Sequence, residues 1–216
     1  MIEQVLVRLE EFSPYEAPTS FTADASLGGK INPVRSYIER TLDFAIRDAL
    51  DMLPLKLLQE DIKSYANLAA VVDADGVGRV VVPSGAIRLV ELRFPQWERS
   101  VTKAYDRTSP MYDLQQNRYT RGGVAKPVVI WSDGNDELGN TSAVWECYSF
   151  PNRATPTSPV ASVAKCVVMQ DHIEGKRAAE YAIIQCAIRI HGVYGDVGNI
   201  KSLREELQTM LQIDLQ

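Results

Sequence analysis

The stretch GKRAAEYAIIQCAIRIHGVYG, residues 175–195, decides the fold. It has the length of a helix, and apolar or small side chains recur on nearly every side of it. A surface helix keeps a polar face, so a helix that is apolar all round must be buried among other elements. The elements able to wrap it lie at both ends of the chain. Upstream, Ile38, Leu42, Ala45, Ile46, Ala49 and Leu53 recur at helical spacing. This predicts a helix over residues 34–53, with Asn32 before Pro33 and Ser36 three residues before Glu39 as start signals, and Pro54 as the stop. Downstream of a glycine-rich break, Leu203, Leu207, Met210 and Leu211 give an i, i+4, i+7, i+8 face. The C-terminal helix pair is thus expected over residues 174–214, and Gly192 is expected to supply the left-handed cap between its members.

Between these helices the pattern turns to strands, over about residues 62–169. IKSYANLAAVV, DADGVG and RVVVPSG read as strand, turn and strand of a hairpin. In AIRLVELRF the apolar phase shifts from Ile87 and Leu89 to Val90, Leu92 and Phe94, which predicts a β-bulge near Leu89-Val90. KPVVIW, SAVWECYSF and SVAKCVVM are further strands, separated by SDGNDELGN and the Pro/Thr-rich PNRATPTSP. The segment PMYDLQQNR places Met111, Leu114 and Arg118 on one helical face. Because strands are not interleaved with helices, a parallel doubly wound sheet is not expected. The expected class is α+β, a bundle of N- and C-terminal helices with a β-rich insertion. Residues 1–33 stand apart as a short strand, QVLVRLEEF, and a long arm, SPYEAPTSFTADASLGGKINP, without sustained period. Such a composition buries too little apolar surface to fold alone, so the arm is expected to order on a neighbouring chain.

Composition narrows the function classes. The 216 residues carry a net charge of −5, whereas a dedicated nucleic-acid binder shows a basic excess. No apolar run approaches the roughly 20 residues that span a bilayer. The acidic start MIEQVLVRLEEF lacks the basic n-region of a signal peptide, so the product is expected to stay where it is made. Cys147, Cys166 and Cys186 are odd in number and form no CxxC, which fits a reducing compartment, and Cys166 and Cys186, set among aliphatics, are expected to be buried. With His172 and His191 as the only histidines, zinc ligation has little to work with.

The motifs for chemistry fail one by one. Counted from Asp73 as an EF-hand loop, the sixth position is Gly78 but the twelfth is Ser84. Counted from Asp133 they are Leu138 and Val144, so neither loop supplies the bidentate acid. SLGGKINP lacks the spacing of a phosphate-binding loop, and no GxSxG occurs. No catalytic, cofactor-binding or metal-ligating residue is expected. What stands out is TSPMYDLQQNRYTRGGVAKPVV, residues 108–129, with its tyrosines, arginines, amides and double glycine. Arg118, Arg121 and Lys126 could meet phosphates while Tyr112 and Tyr119 stack on bases. Alternatively, Tyr112, Arg118, Tyr119 and Arg121 form a protein interface presented by a Gly122-Gly123 turn, since tyrosine and arginine are enriched at such contacts. The third reading is structural, with half-buried aromatics beside a turn.

The series LVELRFPQWERSV, SPMYDLQQNRYTRG and KPVV, followed by Trp- and Tyr-bearing strands and an alanine-rich helix pair, resembles the head-to-tail adaptor proteins of tailed bacteriophages. It is most similar to the first ring protein below the portal in crAss-like podoviruses. The positions that carry the likeness are Trp97, Arg99, Val101, Ser109, Pro110, Tyr112, Gln115, Asn117, Thr120, Arg121, Gly122, Lys126 and Pro127, within a span from Pro33 to Leu211. The resemblance implies a structural virion protein, made in the host cytoplasm, with no enzymatic activity and no cofactor. About twelve copies would form a ring on the portal and present a platform to the next tail protein. DNA would pass through the lumen without sequence-specific binding, past an acidic wall that repels it. The rival classes are a small soluble enzyme and a cellular scaffold or binding module.

Overall fold

A computed structural model describes residues 1–11, 33–135, 141–150, 158–169, 173 and 175–215. The expected arm at Ser13–Asn32, the Asn32 cap and most of the PNRATPTSP turn lie outside the described residues. The fold is α+β. The chain divides into two compact units, one of residues 1–61 and 171–216 and one of residues 62–170.

The first unit is helical. Its elements are α1 (Ile2–Glu11), α2 (Pro33–Met52), two short 3-10 turns (Leu55–Leu57 and Gln59–Asp61), and a C-terminal pair that follows the second unit in sequence. The N-terminal segment is a helix, which corrects the strand expected there. Its Val5, Val7, Leu9 alternation looks like a strand, but Ile2, Val5, Leu6 and Leu9 also fit i, i+3, i+4, i+7. The helical face is the one that packs, with Val5 fully buried and Val7 50% exposed. On α2 the expected apolar face is buried, from Ile38 through Leu42, Ala45, Ile46 and Ala49.

The long apolar stretch of residues 175–195 forms a helix over Lys176–Tyr194, and the last helix runs over Val197–Leu215. The Lys176–Tyr194 helix packs against α1, α2 and the last helix. Ala178, Ala182 and Ala187 have no exposed surface and keep its neighbours close, and the Cys186 thiol faces the Ile38 carbonyl at 3.9 Å. Its N-terminus begins at Gly175, where a Cβ would lie 2.9 Å from the buried Asp61 carboxylate. A carboxylate at that end is favoured by the helix dipole. Its C-terminus is capped by Gly195, at φ 72°, and not by Gly192 as the sequence suggested. Two glycines three residues apart fit the cap equally well, and the helix runs one turn further than expected. Asp196 then starts the last helix, accepting from the Asn199 amide at 3.2 Å while standing 3.5 Å from His191 Nδ1. Arg8 on α1 pairs with Glu206 at 2.7 Å, and Arg189 pairs with Asp48 of α2.

The described residues of the second unit form eight strands: β1 (Ile62–Ser64), β2 (Val71–Val72), β3 (Gly78–Val81), β4 (Ala86–Arg93), β5 (Ala104–Asp106), β6 (Val129–Asn135), β7 (Thr141–Cys147) and β8 (Val163–Val168). A helix, α3 (Pro110–Gln116), follows β5, and the helical pair of the first unit is then α4 (Lys176–Tyr194) and α5 (Val197–Leu215). One sheet has the order β1-β8-β4, and the other has the order β2-β3-β7-β6-β5 with only the β5-β6 pair parallel. Side chains of both sheets meet in one apolar core, with Leu89, Leu92 and Cys166 from the first and Val80, Val129 and Trp145 from the second. Phe94, Trp97 and Phe150 close it with edge contacts at ring separations of 5.0 and 5.1 Å.

The sequence IKSYANLAAVV is not one strand. It splits into β1 and β2 in different sheets, and Asn67 at φ 63° takes the left-handed conformation between them. The hairpin β2-β3 does form. Asp73 Oδ1 accepts from the amides of Asp75 and Val77, and Gly76 at φ 76° completes the bulged loop. This is turn chemistry, and among the described residues no cluster of acids, histidines or cysteines could hold a metal. The bulge in β4 also forms: Leu89 faces Cys166 and Glu91 faces Lys165, which leaves Val90 as the extra residue. β6 runs on into the stretch SDGNDELGN, expected as a turn, and pairs with β7 as far as Asn135↔Thr141. Among the described residues no helix is long and apolar enough to cross a membrane.

Gly85 sits third in the Pro83–Ala86 turn, at φ 75°, as a type II turn requires. A Cβ there would lie 2.7 Å from the Met169 carbonyl oxygen. Gly85→Ala should destabilise the second unit by about 1–2 kcal/mol or more, whereas Gly123→Ala, which meets no atom within 4 Å, should be close to neutral. All three tryptophans, Trp97, Trp131 and Trp145, belong to this unit, so urea unfolding followed by tryptophan fluorescence reads it directly. Equal midpoints for the two variants would contradict the turn assignment.

Candidate protein interface

Ser109 starts the segment. Its hydroxyl accepts from the Met111 amide at 3.3 Å, Pro110 occupies the first helical turn, and α3 follows. The helix stops at Gln116, so Arg118 is not on its face as the sequence suggested. Asn117 leaves the helical conformation, and its side chain accepts from the Tyr119 amide at 3.0 Å. Its carbonyl accepts from the amides of Thr120 and Arg121 at 3.1 and 2.9 Å, and the Thr120 hydroxyl donates back to the Leu114 carbonyl at 2.6 Å. The chain therefore folds sharply back on the helix.

Gln115 anchors that return. It is 1% exposed, donates to the Met111 carbonyl and accepts from the Gly122 amide at 2.7 Å. Arg121 donates to the Gln115 carbonyl at 3.0 Å and to the Asp75 carbonyl at 3.1 Å, and its guanidinium lies 5.5 Å from the centre of the Tyr148 ring. Gly122 is there for closeness, since a Cβ would meet the Lys126 carbonyl oxygen at 2.8 Å and Val128 at 3.0 Å.

Beneath α3 lies the outer face of the five-stranded sheet. Val128, Ile130 and Tyr148 are buried there, with Met111 and Tyr112 packed against them. In their midst is a carboxylate, Glu146 of β7. Arg107 Nη2 donates to it at 2.8 Å and the Tyr148 hydroxyl donates at 2.8 Å, while Gln116 reaches that hydroxyl at 3.4 Å. Arg107 also stands over the Tyr112 ring at 5.7 Å. Burial alone would push the Glu146 carboxyl up. The hydrogen bonds from Tyr148 and Arg107, with the Arg107 charge, outweigh it and hold the carboxyl below its ordinary range. Burial and the bond to Glu146 push the Tyr148 hydroxyl up to about 12, so it remains a donor.

The four residues singled out from the sequence thus fall into two pairs. Tyr112 and Arg121 are half-buried and engaged within the chain. Arg118 and Tyr119 are exposed at the tip, Tyr119 to 95%, and Arg118 makes no hydrogen bond or ion pair with the described residues. Leu114, 45% exposed, lies on α3 beside them. Sequence reading missed Arg107, Gln115 and Glu146 as the supports of this tip. The one available signal was Glu146 itself, a lone charge in the apolar run SAVWECYSF. The arrangement has the chemistry of a recognition surface, a rigid base with an aromatic and a guanidinium held out.

Because the folded Glu146 carboxyl titrates below its ordinary value of 4.5, its contribution is complete above that value and is lost as the pH falls through the lowered one. Glu91, held low by hydrogen bonds from Lys165 and Ser100, adds to the same acid-side loss. Unfolding midpoints should therefore fall with acid below about pH 5, and Glu146→Gln should remove part of that slope. A slope identical to that of the unmodified chain would show that Glu146 is not held this way.

A scan against protein-family models finds no matching family, and a search of the curated proteins finds no match.

Proposed function

We propose that this chain is a structural protein of a tailed-phage virion, a head-to-tail adaptor that forms a ring, docks on the portal and receives the next tail protein. The ring holds about twelve copies, and DNA passes its lumen without sequence-specific binding. No residue is catalytic in this reading, and no cofactor is required. The observation that carries it is Tyr119, 95% exposed on a support whose other aromatic and guanidinium groups are engaged within the chain. A large ring held in water on a rigid base is the residue type that anchors protein contacts, with Arg118 beside it. The resemblance of residues 97–127 to phage adaptors supplies the kind of partner, and the net charge of −5 suits a wall along which DNA slides.

The test mixes the purified chain with the portal ring encoded in the same genome and follows complex mass. The unmodified chain should bind as a ring. Tyr119→Ala with Arg118→Ala should weaken that assembly at least about tenfold, with circular dichroism unchanged. DNA affinity should be weak in both proteins. Steeply salt-dependent DNA binding that the double variant flattens, together with normal rings, would overturn the interface in favour of nucleic-acid contact. Turnover of any substrate that one point mutation abolishes would overturn the structural reading as a whole.

A further inference from the structure

The helical unit carries two surfaces of opposite character. The first is a ridge on α2. Tyr37, Arg40, Phe44 and Arg47 fall at i, i+3, i+7 and i+10, within one narrow strip of the helix opposite its buried face. Phe44 is 63% exposed and Tyr37 38%, both arginines are exposed, and Asp51 ends the strip one turn further on. Among the described residues nothing covers Phe44. The second is a groove of about 740 Å³ between α1 and α4. Val7, Ala179 and Ile183 give it an apolar floor, and Val7 is 50% exposed. Its rim carries Glu3, Glu180 and Lys176, while Arg8 at the same groove is engaged by Glu206. Glu180 pairs with Arg177 at 3.2 Å, an exposed pair of the weak kind.

We propose that these are the two halves of one contact between copies of this chain, the α2 ridge of one copy seated in the α1/α4 groove of the next. Charges of both signs lie on each surface, and Arg47 of the ridge is placed to meet Glu180 of the rim. Phe44 is the apolar anchor that the groove floor lacks. The two surfaces differ, so the contact is head-to-tail, the type that closes into rings or runs on as filaments. The proposal rests on the ring reading given above, yet the two fail separately.

The experiment uses the full chain, sedimentation velocity across a range of concentrations, and circular dichroism melts as a check of folding. The unmodified chain should associate progressively, alone or on the portal ring. Phe44→Asp and Val7→Arg, both at exposed positions, should each stay monomeric with unchanged melts. Mixed in equal amounts, they should give dimers and nothing larger, because one intact ridge meets one intact groove. Arg47→Glu should weaken association about tenfold, and adding Glu180→Arg to the same chain should restore it. Assembly of either single variant like the unmodified chain overturns the proposal, as does a mixture that stays monomeric or recovers large assemblies. An unmodified chain that is monomeric at every concentration, with and without the portal ring, overturns it too. If head-to-tail association follows these surfaces but ignores the portal, the adaptor reading fails and the contact stands. Rings on the portal that survive both variants give the reverse.

Discussion

α4 leaves almost no side to water, and the arrangement of the helical unit follows from that. Ten of its positions between Ala178 and His191 are buried, and a helix of this kind gains stability only if other helices cover it on several sides at once. One neighbour is α5, which follows directly after the Gly195 cap. The remaining cover has to come from elsewhere in the chain, and it comes from α1 and α2 at the opposite terminus. The two ends of the polypeptide are thereby brought to one core. Whatever lies between them in sequence must leave that core and return to it, and the β unit occupies that excursion.

Within the β unit a comparable constraint acts on a smaller scale. A carboxylate on the covered face of a sheet is costly unless its oxygens are satisfied. Glu146 meets that requirement through Arg107 and Tyr148, and both partners do further work in holding α3. Arg107 covers Tyr112, and Tyr148 supports the guanidinium of Arg121. The same few contacts therefore satisfy the charge and fix the base from which Tyr119 projects. The rigidity of the tip comes from polar groups, while the sandwich core beneath it is apolar.

The helices α2, α4 and α5 were legible because each keeps a sustained 3.6-residue pattern, and α4 declared its burial by having no polar face. The β2-β3 hairpin and the bulge at Val90 were legible from local chemistry, an Asp/Gly loop and a one-residue slip in apolar phase. α1 was not, because ten residues with apolar side chains at 2, 5, 6, 7 and 9 satisfy both periods, and the exposure of Val7 is what separates them. The cap was misplaced for a similar reason, as Gly192 and Gly195 are locally equivalent. In the candidate site, composition drew attention to the right segment and could not divide it. Arg107 and Glu146 are 39 residues apart, so nothing local announces that they meet, and without that pair Tyr112 and Arg121 read as exposed as Tyr119.

The three cysteines carry a consequence for the life of the folded chain. Cys147, Cys166 and Cys186 are all buried and unpaired, and desolvation pushes every one of the thiols up, Cys166 and Cys186 to about 12. Thiolate is the form that oxidises, alkylates and exchanges, and here it is both scarce and out of reach. In the folded protein the thiols are therefore withheld from oxidants and alkylating agents, and they become reactive when the unit that buries them opens.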